Sequence, residues 1–441
     1  MNESKIKIFF IILYIYLYIG IISTVSPALK GYSGYLLFCC DLGLIGLGLM
    51  FINKPKNRFI LGLFLFFIVT STFTYAVNFN ANLLSHINGL REYFILFSAY
   101  SFINVVFLSD CRELFLKKLY GFIKPFLIIQ IPVTFYQFSK YGAGDSVGGT
   151  FGHGETGVLT IVIFTLCFYL VWVHTNRRTS DRFNFRINLI ILPFLLPIFI
   201  NETKISFIFL ALFFLFQLNL RGKALVSNII LLIFAIAILN IYNNYNAAGV
   251  RSESVFNKEF LKEYLAMEFE GKDEYNKKEF LEKYSLEKGE YIDIPRLTKI
   301  TLAIKTLSQD SLKMLLGNGI GIFKGGKILG RSEYSVENLW LLGGSRPYLF
   351  FLLIQGGLIN TLLILILLFY ALIRNYKKRV SQNGKSRLLK NLRYFLLAIL
   401  IVILFYDDSL RNGAVVIIIT SISMLIYNLK TNGNISHKNI P

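Results

Sequence analysis

Long apolar runs separated by short polar connections make up most of this chain, and one hydrophilic stretch, 243–347, interrupts the rhythm late in the sequence. The apolar runs lie approximately at 6–23, 35–52, 59–77, 92–108, 119–138, 156–174, 187–200, 205–220, 224–242, 348–373, 393–406 and 413–428. A hydrocarbon core roughly 30 Å thick takes about 20 mostly apolar helical residues, and only helices or closed barrels satisfy the backbone there. The runs are continuous and lack barrel-type alternation. They predict an all-α polytopic membrane protein of about 12 transmembrane helices, with one large, partly helical external loop between helices 9 and 10. Residues 1–242 then carry helices 1–9, 243–347 the loop, and 348–441 helices 10–12 with a tail.

The long loop divides in two. Its first part, 252–291, carries the related strings Glu259-Phe-Leu-Lys-Glu-Tyr264 and Glu279-Phe-Leu-Glu-Lys-Tyr284, whose mixed charge at helical spacing predicts solvated amphipathic helices. After Pro295, the residues Leu297, Ile300, Ile304, Leu307, Leu312 and Leu315 recur at helical intervals and predict one more amphipathic helix over 296–316. That helix stops at Gly317-Asn318-Gly319. Gly317, Gly319 and Gly321 can cradle phosphate on backbone N–H groups, but no Lys-Ser/Thr follows and no strand precedes, so a helix C-cap turn is the stronger reading.

Composition strengthens the membrane assignment: mean hydropathy is +0.56, and 54% hydrophobic residues with 42 Phe exceed soluble usage. Lys and Arg set the orientation, because cytoplasmic loops retain them during insertion. With Lys5 and Lys7 inside, the connections 53–58, 109–118, 174–186, 221–223 and 374–393 and the tail are all cytoplasmic and all basic. Both termini are then expected in the cytoplasm, and the large loop on the periplasmic or extracellular side. The net charge of +20 follows from this distribution, since 243–347 holds 16 basic and 15 acidic residues and is nearly neutral. Nucleic-acid binding is not needed to explain it. The first helix lacks a convincing cleavage site and is expected to be retained. Cys39 and Cys40 are adjacent in the second helix, Cys111 is cytoplasmic and Cys167 lies within the sixth helix, so no outside pair can form a disulfide; with four dispersed His there is no zinc spacing, and no metal or other cofactor is expected.

Candidate chemistry collects on the outer side. The turn Gly148 to Gly157 brings His153 and Glu155 to the start of the sixth helix, either for close approach to a ligand or as a tight turn whose Glu offsets the helix dipole. Glu202 and Lys204 are pressed between two apolar segments, where ionisable groups are functional candidates unless they pair or snorkel. Arg296 opens the amphipathic helix, Glu337-Asn338 lies near the loop's end, and Arg346-Pro347 leads into the tenth helix. Arg91, in a short outer connection, is a further candidate anion contact. Arg suits a diphosphate because its planar fork stays ionised and bonds bidentately. Asp407, Asp408 and Arg411 read first as a local ion-pair cluster. The first five helices are expected to show little midplane charge beyond Lys124.

At these residues the chain resembles the O-antigen polymerase and ligase superfamily of bacterial polysaccharide assembly. The layout of helices around a large late loop is similar throughout. Gly149-Thr150-Phe151-Gly152-His153 looks like the family's external Gly-Thr-Phe turn, Glu202-Thr203-Lys204 resembles its Ser-Arg helix start, and Arg296 followed by Gly317-Asn318-Gly319-Ile320-Gly321 is similar to its loop Arg and Gly-x-Gly element. Two departures stand out. Lys204 replaces the Arg of the Ser-Arg element, and Glu337-Asn338 stands where ligases carry a His-Asn pair, which leans the reading to polymerase.

The resemblance implies a metal-independent, inverting membrane glycosyltransferase of the GT-C-like type in the bacterial inner membrane. The donor would be a glycan on undecaprenyl diphosphate, and the acceptor a sugar hydroxyl of another lipid-linked repeat unit. Arg296, Arg346 and Lys204 would stabilise the departing diphosphate, with Arg91, Asn338 and Glu202 as further substrate contacts. Glu337 would be the general base, with His153 or Glu155 as alternatives. Membrane lipids and a chain-length-regulating co-polymerase are the other partners it implies. A ligase acting on lipid A-core and a flippase or transporter are the rival readings.

Overall fold

The computed structural model describes residues 2–25, 30–78, 82–142, 146–177, 190–201, 205–217, 233, 296–324, 339–342, 346–373 and 384–431. Within them α1 is Glu3–Val25, α2 Lys30–Ile52, α3 Arg58–Asn78, α4 Leu83–Phe107, α5 Arg112–Tyr141 and α6 Thr156–Arg177. A short α7, Leu196–Ile200, is followed by α8, Ile205–Gln217. Later come α9 (Arg296–Ser308), α10 (Ser311–Leu316), α11 (Tyr348–Ile373), α12 (Gly384–Tyr406) and α13 (Gly413–Thr431). The described residues form no strand. Among the described residues seven helices, α1 to α6 and α11, are long and apolar enough to cross a membrane, and Gly413–Tyr427 is a shorter apolar helix. The protein is therefore an all-α chain with several membrane-length helices.

A large Phe-rich core runs through the bundle, and a smaller cluster joins α9 to the start of α11. The centre of the large core is α6, whose apolar window is almost wholly buried, while α3 turns much of its surface outward, as a lipid-facing helix does. α4 packs between α2 and α13, and α11 packs on α3, α12 and α13. The predicted segments at 348–373, 156–174 and 59–77 match α11, α6 and α3 within a few residues. The described part of 187–200 is less regular: a 3-10 turn at Leu192–Leu195 interrupts the helical path, because Pro193 and Pro197 remove backbone donors. The segment predicted at 224–242, apart from residue 233, and the part at 252–291 lie outside the described residues.

Two boundaries differ in ways that matter for the site. The pattern predicts a fourth helix from residue 92, but α4 starts at Leu83, with Asn82 capping it by accepting from Ser85 N at 2.7 Å. Arg91 and Glu92 therefore lie inside the helix, Glu92 about 13 Å along its axis from the start. The predicted single helix over 296–316 is two. Asp310 breaks it and caps α10 by accepting from Leu312 N and Lys313 N. Ile300 and Leu307 are buried against Phe350 and Ile354, while Ile304, Leu312 and Leu315 are exposed.

The end of the α10 segment is inserted among helices and is not a free loop. α11 is broken at Gly357, where φ is 61° and ψ −166°. The carbonyls of Ile354 and Gln355, which a continuous helix would bond internally, accept instead from Asn318 N at 2.9 Å and Gly319 N at 3.1 Å. Gln355 Oε1 takes Gly321 N at 3.1 Å, and Asn78 Nδ2 donates to Gly317 O at 2.7 Å. The turn's N–H groups are thus used within the protein. Gly317 has φ 80° and ends α10 as the C-cap, so the cap reading holds and the phosphate-cradle reading does not.

Candidate functional site

Glu155, Arg296 and Arg346, far apart in sequence, come together around one turn. That turn, 407–411, joins α12 to α13 at the end of the bundle where α4, α6 and α11 begin. Arg296 Nε donates to Tyr406 O at 3.1 Å, and its guanidinium lies 3.8 Å over the Tyr406 ring. Tyr348 N donates to Asp407 O at 3.0 Å, which fixes the start of α11, and with it Arg346, against the same turn. Arg346 Nε stands 3.9 Å from Asp408 Oδ2, and its side chain is 46% exposed.

Beneath this rim is a tighter ion network. Arg411 grips Glu92 with two bonds, Nε to Oε2 at 3.1 Å and Nη2 to Oε1 at 3.2 Å, and donates from Nη1 to Asp408 Oδ2 at 3.1 Å. Lys324, delivered by the segment that passes through the α11 break, pairs with the same Glu92. Burial pulls the Lys324 ammonium below its ordinary value, and Glu92 pushes the other way. Asp407 accepts from Asp408 N at 2.7 Å and from the Ser409 hydroxyl. So the predicted local pair of Asp408 and Arg411 exists, but Arg411 also ties the turn to α4.

Two carboxyls in this cluster sit above the ordinary carboxylate range. Asp407 is pushed up to about 6 by burial and then by Asp408, with Ser409, the Asp408 N–H and Arg296 pulling it down. Glu155 is exposed at the rim, yet the atoms packed around its carboxyl raise it to about 7, with Asp408 and Asp407 adding to the rise and Arg346 and Arg411 opposing it. A carboxylate near neutrality beside guanidinium groups suits proton transfer next to a departing anion.

Glu155 owes its place to the turn before it. The Gly149–Phe151 3-10 turn is buried between α1 and α5 and is held by Gln130 and Gln137. Close packing is needed here: a Cβ on Gly149 would meet Gln130 Oε1 and Leu159, and a Cβ on Gly20 of α1 would collide with the Phe151 backbone.

The other predicted site residues fall elsewhere. His153 is exposed and faces the Tyr141 ring, centroids 5.8 Å apart. Arg91, expected in an outer connection, lies within α4, with Nε 3.1 Å from Asp41 Oδ2 and its guanidinium over Phe38. Asp41 also accepts from the Tyr16 hydroxyl. Glu202, Lys204, Glu337 and Asn338 lie outside the described residues.

Glu92, Lys324 and Asp41 are the members that reading the sequence missed. Asp41 was visible as a lone carboxylate in an apolar run, so the expectation of little midplane charge in the first five helices does not hold. Glu92 was visible as half of a charged doublet against an apolar run. Nothing local marks Lys324. No protein-family model and no curated protein matches the chain.

Proposed function

We propose that this protein is a polysaccharide polymerase of the bacterial inner membrane. In this reading about twelve helices span the membrane, both termini are cytoplasmic, and the cluster around 407–411 faces outward. The observation that carries it is the convergence of Arg296, Arg346 and Glu155 on one turn. The donor is a glycan on undecaprenyl diphosphate and the acceptor is a hydroxyl of another lipid-linked repeat unit. Glu155 takes the hydroxyl proton, the acceptor oxygen bonds to the anomeric carbon from the side opposite the leaving group, and the carbon–oxygen bond to the diphosphate breaks with inversion. Arg346 and Arg296 neutralise the charge that develops on the departing diphosphate. Glu155 takes the role first expected of Glu337.

A second reading, a flippase or transporter, is favoured by the Asp41–Arg91 pair within the helices and by the break of α11 at Gly357. Deletion followed by gel analysis of the glycan separates them. A product of single repeats supports a polymerase. Retained lipid-linked polymer that is missing from lipid A-core supports a ligase, and repeat units left facing the cytoplasm support a flippase.

A further inference from the structure

We infer that Gln130 and Gln137 of α5 are positioning residues for Glu155, holding the 148–155 turn by its backbone and so fixing Glu155 beside the 407–411 turn, which Gly157 touches at Asp407. This rests on the polymerase reading above. Both amides are fully buried, and burying amides is unfavourable unless their hydrogen bonds are made. Here those bonds go to the turn. Gln137 Oε1 accepts from Gly149 N at 2.7 Å, and its Nε2 donates to Gly149 O at 2.8 Å and to Thr24 Oγ1 at 3.2 Å. Gln130 Oε1 accepts from Thr150 N at 3.0 Å, and its Nε2 donates to Thr150 Oγ1 at 2.7 Å. The Thr150 hydroxyl in turn donates to Leu17 O of α1 at 2.5 Å.

Packing alone would not require this pattern, since apolar side chains would fill the space around the turn. The two amides instead specify its backbone, including the positive φ of 61° at Gly149. The constraint reaches Glu155 directly: Gly148 lies so close to Gly152 O and Glu155 N that no Cβ fits between them. On its other side Glu155 O accepts from Leu159 N at 3.0 Å, opening α6. No hydrogen bond to the Glu155 carboxyl is present among the described residues, so the backbone clamp sets its place.

The test uses purified full-length protein in detergent with lipid-linked repeat units extracted from a deletion strain. Thr150→Val keeps the shape and removes the hydroxyl bonds, Thr150→Ser keeps the hydroxyl, and Gln137→Met removes the second amide. The expected result for Thr150→Val and Gln137→Met is a kcat lowered roughly tenfold to a hundredfold, with KM little changed and the rising limb of the pH profile displaced. Thr150→Ser stays near wild type. Wild-type kcat in Thr150→Val and Gln137→Met, an unmoved pH profile, or an equal loss in Thr150→Ser overturns the inference. Glu155→Gln separates the two levels. If it is inactive while Thr150→Val is normal, only the positioning role fails; if it is fully active, the reading of Glu155 as base fails.

Discussion

Arg411 holds Glu92 through both carboxylate oxygens, at 3.1 and 3.2 Å, and so bolts the α12–α13 turn to the interior of α4. Lys324 shares that carboxylate, so one Glu neutralises two cations with little solvent access. Removing it leaves Lys324 uncompensated and Arg411 paired with Asp408 alone. Glu92→Gln is expected to destabilise the protein by about 3 kcal/mol, read as a lowered melting temperature in detergent.

Arg346 is expected to behave in the opposite way. Its pair with Asp408 is long and its side chain is nearly half exposed, which places it among ion pairs of small stability value. Arg346→Ala should change stability by about 0.5 kcal/mol or less while abolishing chain extension. Comparing melting temperature with glycan length in the same preparation separates the two effects.

Both raised carboxyls link the site to pH. Because their folded values lie above the ordinary carboxylate range, the folded state binds these protons more tightly than the unfolded chain. The stability this provides is full below the ordinary range and is lost as pH rises through about 6 for Asp407 and about 7 for Glu155. Under the proposed polymerase reading, activity is expected to run the other way, rising with pH around 7 as Glu155 becomes a base. A melting series against pH should show the decline, and Glu155→Gln should flatten its upper part.

Gly317 and Gly357 meet at the break in α11, both with positive φ and with no room for a side chain between them. Gly317→Ala should therefore cost about 1–3 kcal/mol and loosen the delivery of Lys324 to Glu92. Hydrogen exchange at Asn318 and Gly319, whose amides bond into α11, checks this locally.

The membrane helices were legible where composition alone decides. α11 was predicted at its observed bounds because Arg346-Pro347 ends the polar stretch and an unbroken apolar run follows. The start of α4 was not, because Asn82, Ser85, His86 and Arg91 read as a connection ahead of a helix starting at Glu92. They are helical because distant partners satisfy them: Ile320 O for His86, Asp41 for Arg91, and Arg411 with Lys324 for Glu92. The site divides in the same way. Arg296, Arg346 and Glu155 were legible as charges next to helix starts, whereas the 407–411 turn that gathers them reads locally as a self-contained ion pair. The break in α11 was hidden because Gly356-Gly357 sits in a run apolar enough to continue as helix, and only the inserted Gly317 turn gives it partners.

The central claim is that Glu155 and Arg346 together extend a lipid-linked glycan. Chain extension by the purified protein on extracted lipid-linked repeat units, resolved on a gel, tests it most directly. A ladder is expected for the wild type and only single repeats for Glu155→Gln and Arg346→Ala at equal protein levels. A full-length ladder from either variant would contradict it.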